Sequence, residues 1–130
     1  MKVKNKNLSV LFFLSQKPRP VSFKPAARLQ YAKFSKVVSD NIDTLGKVEV
    51  EVAKNIDPDF EKNGMQFMGK RLAENVFKFN DEVKTIRDEE IELPDIPSFK
   101  LSEWPELSLT DMQLMELLEI GIVEEEEAKK

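Results

Sequence analysis

Apolar residues follow three different patterns along this chain, and each predicts an element. Leu8 to Leu14 is an almost unbroken apolar block with no polar face, which reads as a short buried element. Val3 belongs to a candidate strand before it, and Asn7 or Ser9 supplies a helix cap. Further on, Tyr31, Phe34, Val38, Ile42, Leu45, Val48, Val52 and Ile56 recur at steps of 3, 4, 4, 3, 3, 4 and 4. That spacing lines one stripe of a helix. The helix should open near Ser22 to Pro25, with Ser22 as cap and Pro25 in the first turn, and stop at Asp57-Pro58. Val48-Glu49-Val50-Glu51-Val52 alternates with period two after Gly46, so a strand stays open there, with helix the preferred reading.

Met65, Met68, Leu72, Val76, Phe79, Val83 and Ile86 repeat at steps of 3, 4, 4, 3, 4 and 3, close to a coiled-coil seam. A second helix is therefore expected after turn material around 57–64. Two such helices with a short connection form an antiparallel hairpin, a rod of roughly 40 Å. Pro18, Pro20 and Pro25 make an extended connector before it. The alternating Ile91-Glu92-Leu93, broken by Pro94 and Pro97, reads as an edge strand or arm. Ser108-Leu109-Thr110-Asp111 then caps a last helix over 109–119, with Leu114, Met115, Leu117 and Leu118 on its apolar face and Gly121 ending it. The expected fold is mostly α: a long antiparallel hairpin, a short N-terminal apolar helix and a C-terminal helix, with room for one small pair of short strands. Residues 1–122 form one domain, and 123–130 an acidic tail without fixed structure.

Composition narrows the chemistry. The 130 residues include no cysteine and no histidine. Thiolate and imidazole catalysis, disulfides and the commonest zinc sites are thereby removed. No Gly-rich phosphate loop or calcium loop is present, and the clusters Asp88, Glu89, Glu90, Glu92 and Glu124 to Glu127 lack a calcium loop's glycine and asparagine. The expectation is a non-enzymatic protein without cofactor or metal. The seven-residue block at Leu8 lacks a following cleavage site and is far short of the roughly 20 residues that span a bilayer, so neither a secretory signal nor a membrane span is expected.

Charge is segregated. Residues 1–39 carry nine of the 20 cationic residues and none of the 24 acids, so the remainder is strongly negative. One consequence is that the two portions face each other within the fold or between subunits. Another is an open cationic face, formed by Lys17, Arg19, Lys24, Arg28, Lys33 and Lys36, that contacts nucleic acid or an acidic partner. A second candidate surface is the acidic C-terminal third, with Asp88, Glu89, Glu90 and Glu92 and the run Glu124 to Glu127, which would mimic nucleic acid or dock on a basic protein, a solvating tail being the preferred account of the second cluster. A third is the proline-flanked arm with Phe99, Leu101, Trp104 and Leu107, which offers a tryptophan anchor for a protein interface if it stands free, although a lone tryptophan in such a segment more often closes the core.

The short apolar element, the proline connector, the helix with Ala27-Arg28 and Lys33-Phe34-Ser35-Lys36, the second helix, the Glu90 to Leu93 segment and the closing leucine-rich helix together resemble a family of small tailed-bacteriophage proteins, a domain of unknown function. The resemblance covers about residues 1–120, and departs from the family pattern at Gln30, where a second arginine is usual. It implies a phage or prophage product acting in the bacterial cytoplasm and carries over no catalytic residue. The expected function is a helical interaction protein that binds another protein, in virion assembly or by inhibiting a host factor, and oligomerises through the hairpin. The alternative is a nucleic-acid-binding accessory protein using its basic N-terminal segment.

Overall fold

Leu8–Ser15 forms helix α1, and because the segment is apolar nearly all round it is buried nearly all round. Leu8, Leu11 and Leu14 are fully enclosed, and the one buried polar residue, Ser15, donates its hydroxyl to the Phe12 carbonyl at 2.8 Å. The structure, a computed structural model, describes residues 1–20 and 22–125. Before α1 come strand β1 (Lys2–Lys4) and a single 3-10 turn. After it, the proline connector leads into α2 (Pro25–Ile56).

At 32 residues, α2 is about 48 Å long, and it runs through 46–52 without a break, so the alternating valines lie on a helix. Its cap position is Lys24, in extended backbone, rather than Ser22. Pro25 at the first position fixes φ where no N–H partner is needed. Tyr31, Phe34 and Val38 are fully buried against α1, while Ile42 and Leu45 pack half-buried on the edge of the same core.

Beyond Ile56 the sequence expectation shifts. The second long helix, α3, spans Leu72–Asp88 and starts seven residues later than the methionine periodicity predicts. Gly64, Met65 and Gly69 all adopt positive φ, a left-handed backbone that cannot continue a right-handed helix. Residues 57–71 are thus a folded turn closed by rings: Phe60 lies 5.0 Å from Phe67, and Phe67 lies 5.8 Å from Phe79 of α3. Helix α3 then returns alongside α2, where Arg87 Nε donates to Glu49 at 2.7 Å. Its end meets the N-terminal segment, with Asn5 Nδ2 donating to the Ile86 carbonyl at 2.9 Å.

Strand β2 (Glu90–Glu92) pairs antiparallel with β1 in the register Lys2–Glu92, Val3–Ile91 and Lys4–Glu90. Opposite charges therefore sit directly across the ladder, an arrangement that favours this register over a slipped one. A second pair was not foreseen: β3 (Phe99–Lys100) runs parallel to β4 (Val123–Glu124). Between them lies α4 (Asp111–Ile120), capped by Thr110 Oγ1 accepting from Gln113 N at 3.2 Å and ended by Gly121 at φ 89°. Ile122 and Val123 are buried, so the ordered unit continues through Glu124 and the boundary expected at 122 moves outward. The expected tail at 126–130 lies outside the described residues.

The main core is assembled from α1, the first half of α2, Val3, Leu93, Phe99, Trp104, Leu117 and the Ile122-Val123 pair. It occupies one end of the molecule, with the turn-and-α3 part of the hairpin extending away from it. Between residues 46 and 88, only Ala53 and Val83 are buried.

Candidate interaction surface

The cationic segment and the aromatic arm expected from the sequence fare differently. On the cationic segment, both arginines serve the fold. Arg19 donates through Nη2 to Ser35 Oγ at 2.6 Å and to the Tyr31 carbonyl at 3.4 Å, and its guanidinium lies 5.7 Å from the Tyr31 ring centroid. Arg28 ties down the connector through the Pro20 carbonyl at 2.8 Å and the Phe23 carbonyl at 3.3 Å. Lys17 sits over the Phe13 ring at 4.4 Å. That leaves Lys24, Lys33 and Lys36 exposed, of which only Lys33 and Lys36 share a helical face. Lys2 and Lys4 stand across from acids in the β ladder, and Lys6 lies 3.8 Å from Asp88. The strongly positive segment is thus partly matched within the chain, and three of the six cations named from sequence, Lys17, Arg19 and Arg28, have partners in the fold.

The aromatic arm is folded down. Trp104 and Phe99 are 1% exposed, and Leu101 and Leu107 pack half-buried on the same core. Of the two readings of the arm, the structure shows the one in which its tryptophan closes the core, not the free anchor. The Trp104 ring lies 5.2 Å from Phe99, 5.6 Å from Phe23 and 6.1 Å from Tyr31, in tilted or edge-on contacts that satisfy the ring quadrupoles. Burial removes these rings from any interface and commits them to closing the core.

Tyr31 belongs to this cluster and donates its hydroxyl to the Pro97 carbonyl at 3.1 Å. Burial pushes its pKa well above the usual tyrosine range, opposed by the nearby Arg19 charge and reinforced by Glu103. A pKa raised on folding means that stability is intact below the unfolded value near 10 and falls as pH climbs above it, because the unfolded chain ionises first. Tyr31 is the sole tyrosine, so its phenolate absorbance near 295 nm reports this site alone. That absorbance is expected to stay absent in the native protein at about pH 11 and to rise with unfolding. A native titration near pH 10 would show that the cluster is open to solvent.

On the turn and α3, Met65 and Met68, for which the sequence favours core packing over an exposed surface, lie exposed. Met65 and Met68 are 54% exposed, Leu72 is 44% and Phe77 is 74%. Val76 is exposed beside them. Leu72 and Val76 lie one turn apart on α3 and Phe77 projects farther round the helix, with Lys70 and Arg71 before the helix, Lys84 two turns beyond Phe77, and the acids Glu74 and Asp81 one turn either side of it. No ion pair engages Lys70, Arg71 or Lys84 among the described residues, whereas Lys78 is paired with Glu74 at 3.2 Å. The missed signal was Phe77 itself, an aromatic residue directly after Val76 that breaks the 3-and-4 spacing and so falls outside the seam.

The clefts near the start of α2 offer little for catalysis. The one lined by Phe23, Ala27 and Pro97 holds a single carboxylate, Glu103, which already accepts from Lys100 N at 2.9 Å. Among the described residues, no three acidic side chains converge as a metal would require. No helix among the described residues is long and apolar enough to cross a membrane. Comparison with protein-family models, curated proteins and solved structures finds no match to this chain.

Proposed function

We propose that this protein is a non-catalytic interaction module that binds a protein partner through the exposed apolar side of the hairpin. The observation that carries the reading is the set Met65, Met68, Leu72, Val76 and Phe77, five large apolar side chains exposed within 13 residues on the least-buried part of the fold. Isolated exposed apolar residues are ordinary, and five so close in the chain support an interaction surface. Methionine adds a flexible, polarisable contact surface suited to partner binding. The resemblance in element order to small tailed-phage proteins suggests a phage or prophage product acting in the bacterial cytoplasm, in virion assembly or on a host factor. The exposed pair Lys33 and Lys36 favours a second reading, salt-sensitive contact with nucleic acid.

A pull-down with the tagged full chain from nuclease-treated bacterial lysate, at low and high salt, separates the two. The expected result is one defined protein retained at high salt by the native chain and by the K33E/K36E variant, and lost with Phe77→Ser. Capture that disappears with nuclease and with K33E/K36E, but survives Phe77→Ser, would replace this reading with the nucleic-acid one.

A further inference from the structure

Seven asparagines lie along the chain, and Asn63 is the only one followed by glycine. The others precede Lys6, Leu8, Ile42, Ile56, Val76 and Asp81, whose side chains crowd the backbone nitrogen next to the carboxamide. The fold widens this difference. Asn41, Asn55, Asn75 and Asn80 lie inside α2 and α3, where the following amide is fixed in the helical hydrogen-bond ladder. The carboxamides of Asn5, Asn7 and Asn41 are held by the Ile86 carbonyl, Glu116 and the Val37 carbonyl at 2.9, 3.5 and 2.8 Å. Asn63 sits in the turn between the long helices, and its carboxamide makes no hydrogen bond among the described residues. Gly64 is exposed at φ 74°, with open space where a Cβ would stand. Its N–H donates to the Glu61 carbonyl at 3.1 Å, in a stretch where no residue from 60 to 80 is buried, so it is released whenever the turn opens locally.

We propose that Asn63-Gly64 is a site of spontaneous modification, at which the turn passes through a succinimide and acquires a carboxylate. The Gly64 nitrogen gives its proton to hydroxide or a buffer base and attacks the side-chain carbonyl carbon of Asn63. A C–N bond forms there, the bond to Nδ2 breaks, and the nitrogen leaves as ammonia after taking a proton from water. Water then adds to one of the two carbonyls of the five-membered ring and breaks that carbon's bond to the ring nitrogen. Opening at the side-chain carbonyl gives an aspartyl residue; opening at the main-chain carbonyl gives an isoaspartyl residue, whose main chain is one methylene longer. The net change consumes one water and releases ammonium, with one new negative charge and no oxidation or reduction.

Both products put this charge a few residues from Asp57, Asp59 and Glu61, of which Asp59 and Glu61 already face Lys62 and Lys54 at 4.0 and 3.2 Å. The isoaspartyl product also lengthens the chain inside the loop that Met65 N closes on the Phe60 carbonyl at 3.0 Å. That bond and the 5.0 Å contact between the Phe60 and Phe67 rings are expected to loosen together, displacing the exposed Met65 and Met68. The main core, at the other end of the molecule, is untouched.

The test is mass-spectrometric peptide mapping of the purified full chain, sampled over days at neutral and mildly alkaline pH, with isoaspartyl residues counted by a protein isoaspartyl methyltransferase. Met65, Met68, Met112 and Met115 are exposed too, Met115 against the expectation that it packs inward with Leu117, and oxygen added to them is a separate mass change on the map. Conversion at position 63 is expected to be at least about ten-fold faster than at any other asparagine, because no other has an uncrowded following nitrogen, and to speed up with pH. Asn63→Gln, which needs a less accessible six-membered ring, is expected to abolish isoaspartyl formation while circular dichroism stays native. Hydrogen exchange of the converted chain should show less protection over 60–72 and no change over 31–38. Conversion in urea but not in the folded chain, or conversion spread evenly over the asparagines, overturns the proposal. Conversion at 63 that leaves protection of the turn unaltered overturns its effect on the Met65 surface.

Discussion

Replacing Trp104 with alanine is expected to destabilise the protein by about 3–5 kcal/mol, the range for deleting a fully buried aromatic side chain. The ring is 1% exposed and touches three other aromatic residues from separate parts of the chain: Phe23 of the connector, Tyr31 of α2 and Phe99 of β3. Its loss removes more than its own area, because the Phe99 and Tyr31 rings lose the surface they pack on and the resulting cavity cannot collapse around α2. Small domains hold only about 5–15 kcal/mol in all, so the variant should be close to unfolding at physiological temperature. Trp104 is the only tryptophan, so the measurement is urea unfolding followed by circular dichroism rather than fluorescence. Trp104→Phe should recover much of the loss, since it restores a ring edge to Phe99. A cost below about 1 kcal/mol would mean that the 97–107 segment is not held to the core by this ring.

The same residue shows how much could be read from sequence. The two long helices, the buried character of 8–14, the strand at 91 and the stop of the last helix were all legible, because each rests on a local pattern: a 3.6-residue period, a proline, a terminal glycine; the last helix itself starts at Asp111, two residues later than expected, with Thr110 as its cap. For Trp104 core closure was the preferred of two readings, but its ring partners were not legible, since Phe23 and Tyr31 lie more than 70 residues away in sequence. The strands at 99–100 and 123–124 were equally silent, because two residues carry no period. The delayed start of α3 had a local signal in Gly64 and Gly69, overridden in the sequence reading by evenly spaced methionines. For the cationic candidates, the structural engagement of Arg19 and Arg28 was not legible, since the carbonyls that hold them are set by how the connector folds back on α2.

Charge segregation acquires a physical meaning from these placements. At the N-terminal end, lysines of β1 stand across from acids of β2 and so specify strand register. The acids of α4 have no cation on their own helix, but Glu119 shares a cleft with Lys2, Lys4 and Lys6 of the N-terminal segment. Part of the sequence asymmetry is thus matched within the fold.

Hydrogen exchange should show two levels of protection within α2 and α3. Amides of 31–38 lie on the enclosed core, where Tyr31, Phe34 and Val38 are fully buried, and should exchange only through global unfolding. From 60 to 80 no described residue is buried, and the turn is held chiefly by the Phe60, Phe67 and Phe79 rings and by the exposed Lys54–Glu61 pair, which contributes little in water. These amides should open locally and exchange roughly two orders of magnitude faster than those of 31–38. The difference follows from where apolar area is removed from water, since both segments have ordinary helix formers and helix propensity alone does not hold a 17-residue helix firmly. A bound partner that covers Leu72, Val76 and Phe77 supplies the missing burial, so protection of 70–84 should rise on binding while that of 31–38 is unchanged. Uniform protection across both segments in the free protein would mean that the hairpin is already a complete cooperative unit, and its exposed apolar side chains would then need no partner to account for them.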